Sequence, residues 1–200
     1  MDQFGYTILQ KPIEALNIVY PNSDFDISKK YTKDQKDNFI VDMIGKTGLN
    51  KIMKYKEKKV RLGKFEVLMK YNFEYKNNKF GRIFSKENLH KYSAKMAKIC
   101  DIITKSNGII LIYSQFIDGG VVPMALALEE MGFTRFSSES YSPLLKTSDI
   151  DIEPIDSITF EKKSEYNGSN FKQAKYMMIT GDKIYSPNNV SDIKLSLIHI

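Results

Sequence analysis

The sequence predicts an α/β fold: a partial parallel sheet with flanking helices, preceded by a mixed helical and extended basic region. Three observations carry this expectation. Ile109-Ile110-Leu111-Ile112-Tyr113 is an uninterrupted, largely β-branched run, the pattern of a central strand covered on both faces. Helical spacing of apolar residues precedes it over 85–105. A second helical segment, Val121 to Met131, follows and leads into another strand pattern at Phe133–Phe136. A strand–helix–strand order makes the strands parallel, with a right-handed crossover.

Residues 1–33 mix Pro12, Pro21, Asn22 and Ser23 with short apolar pieces such as Leu16–Tyr20, and read as extended lead-in structure with one short strand. Apolar Phe39, Ile40, Met43 and Ile44 predict a helix over 34–44, stopped at Gly45; a second short helix is expected over Leu49–Glu57. Residues 64–76 alternate, with Phe65, Val67, Met69, Tyr71, Phe73 and Tyr75 in phase, which predicts a half-buried strand. Asn77-Asn78 suits a turn. Ser85 is the expected cap of the next helix, with Leu89, Tyr92, Met96, Ile99 and Ile103 forming its stripe. Pro123 fits only the first turn of the following helix, and Gly132 ends it. The polar, turn-rich stretch 137–170 reads as a loop insertion. Ala174–Thr180 is a third strand, ending in Gly181-Asp182, and Ser186-Pro187 starts a further helix.

With 42% hydrophobic and 27% charged residues, the composition is that of a folded domain with a core. No apolar run is long enough for a bilayer, the amino end lacks a signal-peptide layout, and the single Cys100 excludes an internal disulfide framework. An intracellular setting and no membrane partner are therefore expected. The net charge of +6 is uneven: residues 29–98 hold 20 Lys/Arg against 7 Asp/Glu, leaving the remainder acidic. Such a segment suits polyanions; a lysine-rich surface reflecting biased codon usage is the plainer reading.

Sharper motifs are scarce. Gly45-Lys46-Thr47 resembles the end of a phosphate-binding loop, but the required upstream glycine position is Ile40, so a helix terminator is preferred. His90 and His199 are isolated, and no His, Cys or carboxylate cluster has metal-ligand spacing. Cys100 sits beside a buried helical stripe, where packing is its default role. Gly119-Gly120, between strand and helix, can admit a phosphate but is not a dinucleotide fingerprint.

The string KYSAKMAKICDIITKSNGIILIYSQFIDGGVVPMALALEEMGF, Lys91 to Phe133, resembles the opening of the C-terminal, second RecA-like lobe of superfamily 2 helicases of the Swi/Snf-like branch. It is most similar to helicases of large nucleocytoplasmic DNA viruses related to the poxvirus early transcription factor ATPase. KPIEALNIVYPN (11–22), GRIFS (81–85) and AKYMMITGD (174–182) share the likeness. The resemblance implies that Ser93 and Lys95 form a Ser-x-Lys element, and that Tyr113, Ser114, Gln115 and Phe116 form motif IV. Thr180, Gly181 and Asp182 then match a strand-end turn. It further implies that motif IV and the loop with Gly119 and Gly120 lie near a DNA or RNA backbone, for which hydroxyls, amides and helix-start N–H groups are sequence-independent ligands.

On this reading residues 1–84 are a basic lead-in, 85–194 an incomplete second lobe with 137–170 inserted, and 195–200 an adapter-derived tail. The parent protein would be an ATP-dependent helicase or translocase, viral and transcription-related, acting in a virion, host cytoplasm or viral factory. The missing first lobe would be its partner, and ATP and Mg²⁺ its cofactors, held mainly by parts outside this chain. No catalytic residue and no metal ligand is expected here, and none of these cofactors is bound by this chain alone. Two alternatives remain open: a non-enzymatic basic nucleic-acid-binding or virion protein, and a small-molecule transferase on a Rossmann-like sheet. The second has neither cofactor fingerprint nor acid–base pair in its favour.

Overall fold

The structure is a computed structural model that describes residues 3–62, 66–76, 79–136, 143–146, 151–180 and 185. Its elements, in chain order, are α1 (Gln3–Ala15), α2 (Lys33–Asp42), α3 (Gly45–Ile52), β1 (Met53–Leu62), β2 (Glu66–Tyr75), α4 (Ala94–Ile103), α5 (Val122–Glu130), β3 (Thr134–Arg135) and β4 (Lys175–Tyr176). A short 3₁₀ turn, Leu89–Lys91, precedes α4, and a π turn, Ile117–Val121, leads into α5.

The centre of the molecule is a helix. Every residue of α5 is buried, from Val122 to Glu130. The cause lies in its sequence, VPMALALEE, which has no polar face for water until the final two carboxylates. Pro123 occupies the first turn, where a missing N–H leaves nothing unsatisfied. Gly132, at φ +96°, ends the helix; the Phe133 N–H donates to Leu128 and the Gly132 N–H to Glu129. An added Cβ at Gly132 would lie 2.3 Å from the Glu153 carbonyl oxygen, so both backbone angle and space demand glycine.

Against α5 pack Met96, Cys100 and Ile103, the buried stripe of α4, together with Ile83, Phe84 and Leu89. Ile18 and Tyr20 from the lead-in join the same cluster. That lead-in is not simply extended. Residues 3–15 are helical with Pro12 inside, and 17–20 is a strap with Asn17, Ile18 and Tyr20 buried, hydrogen-bonded to the start of α4 through Val19 N–H and the Tyr92 carbonyl.

The sheets are small. β1 and β2 form an antiparallel pair with Met53 opposite Tyr75 and Leu62 opposite Glu66. β3 and β4 are parallel, Thr134 opposite Lys175 and Arg135 opposite Tyr176. The molecule is therefore mixed α/β; the expected strands at 133–136 and 174–180 supply a two-residue parallel pair, and no larger parallel sheet is present among the described residues.

Other expectations change. The predicted central strand, Ile109–Tyr113, has no ladder partner among the described residues, and all five side chains are exposed, Leu111 at 91% and Tyr113 at 87%. Strand identity requires a neighbouring backbone, and the described chain places none beside this run. The helix expected from Ser85 instead starts at Ser93, since 86–92 forms turns and the 3₁₀ segment. The helix expected over Leu49–Glu57 begins earlier, at Gly45, and gives way at Met53 to β1, which pairs with the correctly placed β2. Gly45 thus opens a helix, at φ +54°, and α2 closes at Asp42. Within 137–170, residues 143–146 and 151–170 carry buried Leu144, Leu145, Ile155 and Asp156, so this part packs on the core. The Asn77-Asn78 turn, the Ser186-Pro187 helix start and the 195–200 tail lie outside the described residues.

Candidate functional site

The residues singled out by sequence converge on the junction between the lead-in strap, the start of α4 and the π turn before α5. Ser93 is the N-cap of α4. Its hydroxyl accepts the Met96 N–H at 2.9 Å and donates to the Asn17 carbonyl, and the residue is buried. Both capacities of that hydroxyl are used inside the fold, so Ser93 positions the strap against α4. Two residues on, Lys95 is exposed and its Nζ donates to Asn17 Oδ1 at 2.7 Å. The Ser-x-Lys element thus grips one residue, Asn17, from both its backbone and its side chain.

Ser114 closes a tight turn: its Oγ accepts the Phe116 N–H at 3.2 Å, while Phe116 itself is buried. Gln115, between them, is exposed. Gly119 and Gly120 are buried within the π turn. A Cβ on Gly120 would fall 2.1 Å from Ser114 Oγ, and one on Gly119 would fall 2.4 Å from Glu14 Oε1. The glycines permit a close approach, and what approaches is the protein's own Ser114 and Glu14. Thr180 is half-buried at the end of the β4 segment; Gly181 and Asp182 lie outside the described residues.

Glu14 was not singled out by sequence. It stands at the end of α1, next to both Gly119 and Gly45, the first residue of α3. Burial first, and the Asp118 carboxylate second, push its carboxyl above the usual range. Tyr20 donates to the Asp118 carbonyl at 2.8 Å, which ties the strap to the π turn. Gly45-Lys46-Thr47 is accordingly a helix start that meets Glu14; no strand precedes it among the described residues.

A second polar cluster lies at the far end of α5. Glu130, with a fully buried side chain, accepts from Tyr75 Oη at 2.6 Å and from Arg82 Nε at 2.9 Å, and Arg82 Nη2 pairs with the same carboxylate. Burial, then the Glu130 charge, hold the Tyr75 hydroxyl far above its ordinary pKa, so it remains a donor. Glu129 accepts the Leu144 and Leu145 N–H groups and the Tyr176 hydroxyl. Adjacent carboxylates therefore clamp four separate segments onto one helix end. Sequence reasoning missed both; their signal was an acidic pair at the end of an otherwise apolar helix, where the dipole disfavours negative charge unless it is paired.

The remaining candidates resolve simply. Cys100 is buried in α4, and desolvation pushes its thiol up to about 11, which removes nucleophilic character near neutral pH. His90 is exposed on the 3₁₀ turn. Among the described residues, no group of three or more His, Cys, Asp or Glu side chains could hold a metal, and no helix is long and apolar enough to cross a membrane. Comparison with family models, characterised proteins and solved structures gives no match for this chain.

Proposed function

We propose that this chain is part of the second RecA-like lobe of an ATP-dependent nucleic-acid helicase or translocase, of the viral, transcription-related kind that its sequence resembles. The observation that carries the reading is the Ile109–Tyr113 run. Five consecutive apolar residues stand open to solvent immediately before the Ser114-Gln115-Phe116 turn and the buried helix α5. A run of this composition belongs in a sheet covered on both faces. In this reading the parallel β3–β4 pair beyond α5 would be one edge of such a sheet. Its remaining strands would come from outside the described residues.

In this reading exposed Gln115 and Lys95 face the nucleic-acid backbone, with Ser93, Ser114, Gly119 and Gly120 shaping the surface behind them. A primary amide and an ammonium are sequence-independent phosphate donors. ATP and Mg²⁺ would be held by a P-loop and an acidic motif on another lobe, completed by an arginine finger. The alternative, a non-enzymatic nucleic-acid-binding or virion protein, draws on the basic 29–98 segment alone.

The test is the complete coding sequence and the activity of its product. The helicase reading expects a Gly-Lys-Thr P-loop upstream, a Gln-x-x-Gly-Arg-x-x-Arg element downstream, and ATP hydrolysis stimulated by DNA or RNA. That stimulation should fall in a K95A/Q115A variant. A full-length product without nucleic-acid-stimulated turnover would refute it. So would ATP turnover by the 200-residue chain that is abolished by changing its own residues.

A further inference from the structure

Protein interiors pack densely and seldom leave a hollow larger than a water molecule. A cavity of about 150 Å³ nevertheless opens between α4, the end of α5 and the 84–90 segment that precedes α4. Its floor belongs to the core: Phe84, Leu89, Cys100 and Ala127 line it and are buried. The hollow exists because the side chains facing it from the two helices are short, Ala97 and Cys100 on α4 and Ala127 on α5. Met131, the C-cap of α5, also lines it.

The rim has a different chemistry. Lys86, His90 and Asp101 line the same cavity and are exposed. Lys86 and Asp101 lie close enough to the floor that both act electrostatically on the Cys100 thiol, in opposite directions. An ammonium only donates hydrogen bonds, a carboxylate only accepts them, and an imidazole does both.

Size and polarity together restrict the occupant. An apolar cavity of this volume holds one benzene-sized ring and is smaller than the pockets that take drug-sized ligands. A carboxylate or phosphate on the ring would meet Asp101, and an ammonium would meet Lys86. A neutral ring whose edge both donates and accepts satisfies the two at once, with its faces against the apolar floor. A pyrimidine base has that form; a purine carries one ring too many.

We infer that the α4–α5 cavity is a binding site for a single pyrimidine-type ring, seated on Leu89, Cys100, Ala127 and Met131 with its polar edge between Lys86 and Asp101. The ring comes from a free nucleoside or from an unstacked base in a single strand, and the same chemistry serves both. The site goes beyond the helicase reading and does not depend on it.

The test titrates the 200-residue chain with thymidine and follows the Met131 methyl group by NMR of labelled methionine, the resonance being assigned with M131L. A ligand this small should bind with a dissociation constant on the order of 1 mM, and deoxyribose alone should not shift the resonance. K86A/D101A should weaken thymidine about tenfold while leaving benzene, which uses only the floor, within about twofold. A97F, which fills the cavity from a half-buried position of α4, should abolish the response to both, with circular dichroism checking that each variant folds. Cys100, the only cysteine in the chain, supplies a measurement that needs no variant. Thymidine at about ten times its dissociation constant should slow alkylation of that thiol about tenfold, and deoxyribose should not. Any one of four results overturns the site: adenosine binding as tightly as thymidine, thymidine affinity unchanged in K86A/D101A, a folded A97F that binds like wild type, or no protection of Cys100. Short oligothymidylate shifting Met131 at lower base concentration than thymidine, with oligoadenylate inert, supports the site and identifies a strand as the source. A response to thymidine alone supports it with a free nucleoside as the source. Nucleic-acid binding that leaves both Met131 and Cys100 unaffected overturns the cavity site and leaves the helicase reading standing.

Discussion

Removing the Arg82 guanidinium measures how firmly α5 holds the segments around it. Glu130 has a fully buried side chain, and Arg82 supplies its charge partner through Nε at 2.9 Å and a second contact from Nη2. In R82A the carboxylate keeps only the Tyr75 hydroxyl at 2.6 Å. Breaking a wholly buried ion pair by removing one member costs about 3–5 kcal/mol. Here the Arg82 side chain is 41% exposed, so water can replace part of the guanidinium, and the expected loss falls to about 2–3 kcal/mol. E130Q, which keeps a hydrogen-bonding partner for Tyr75, should lose about 1–2 kcal/mol. In the double variant the losses should not add: once the buried charge is gone, Arg82 has little left to do, and the coupling should be about 1–2 kcal/mol. Urea unfolding followed by far-ultraviolet circular dichroism, with unchanged m-values, gives all four corners of the cycle. Independent sites add to within about 0.5 kcal/mol. A coupling below that figure, or an R82A variant as stable as wild type, would mean that the pair does not hold the ribbon base and the Gly81–Ser85 segment to α5.

Two further outcomes follow from the site geometry. S93A removes both the α4 cap and the bond to the Asn17 carbonyl. It should therefore lower stability by about 1–2 kcal/mol, while leaving the salt slope of DNA binding unchanged; a changed slope with unchanged stability would instead make Ser93 a direct phosphate ligand. Asp156 accepts backbone N–H groups from Lys172, Thr159 and Ile158, and these bonds hold its carboxyl below the usual aspartate range. A depressed folded pKa contributes stability above the unfolded value, and this is lost as pH falls through the folded one. D156N should accordingly be less stable than wild type near neutral pH, with the gap closing below about pH 4. Urea midpoints of the two proteins across that range check it, and a gap independent of pH would remove the carboxylate's role.

Much of the local structure was legible because its causes are local. The apolar spacing of Phe39, Ile40, Met43 and Ile44 located α2, Met96 and Ile103 of the expected stripe are buried in α4, and Pro123 and Gly132 bracket α5. Strict alternation located β2. The candidate site was legible only as a list of residues. Nothing in one dimension indicated that Asn17 would receive both Ser93 and Lys95, that Glu14 would sit between two glycines, or that Glu129 and Glu130 would become anchors. Each of these contacts joins residues far apart in sequence, and their polar atoms acquire meaning only once burial removes water as the competing partner.

The chain's own chemistry determined which stretches are apolar, which are basic and which favour helix, because propensity and periodicity act over a few residues. Tertiary structure decided what those stretches became. Met53–Leu62, with five Lys and Arg residues, is a strand because β2 offers it a ladder. Ile109–Tyr113, far more strand-like in composition, stands exposed and unpaired among the described residues. Strand structure is a property of two backbones that satisfy each other's N–H and C=O groups. A single segment can therefore carry the preference for it without containing the partner that realises it.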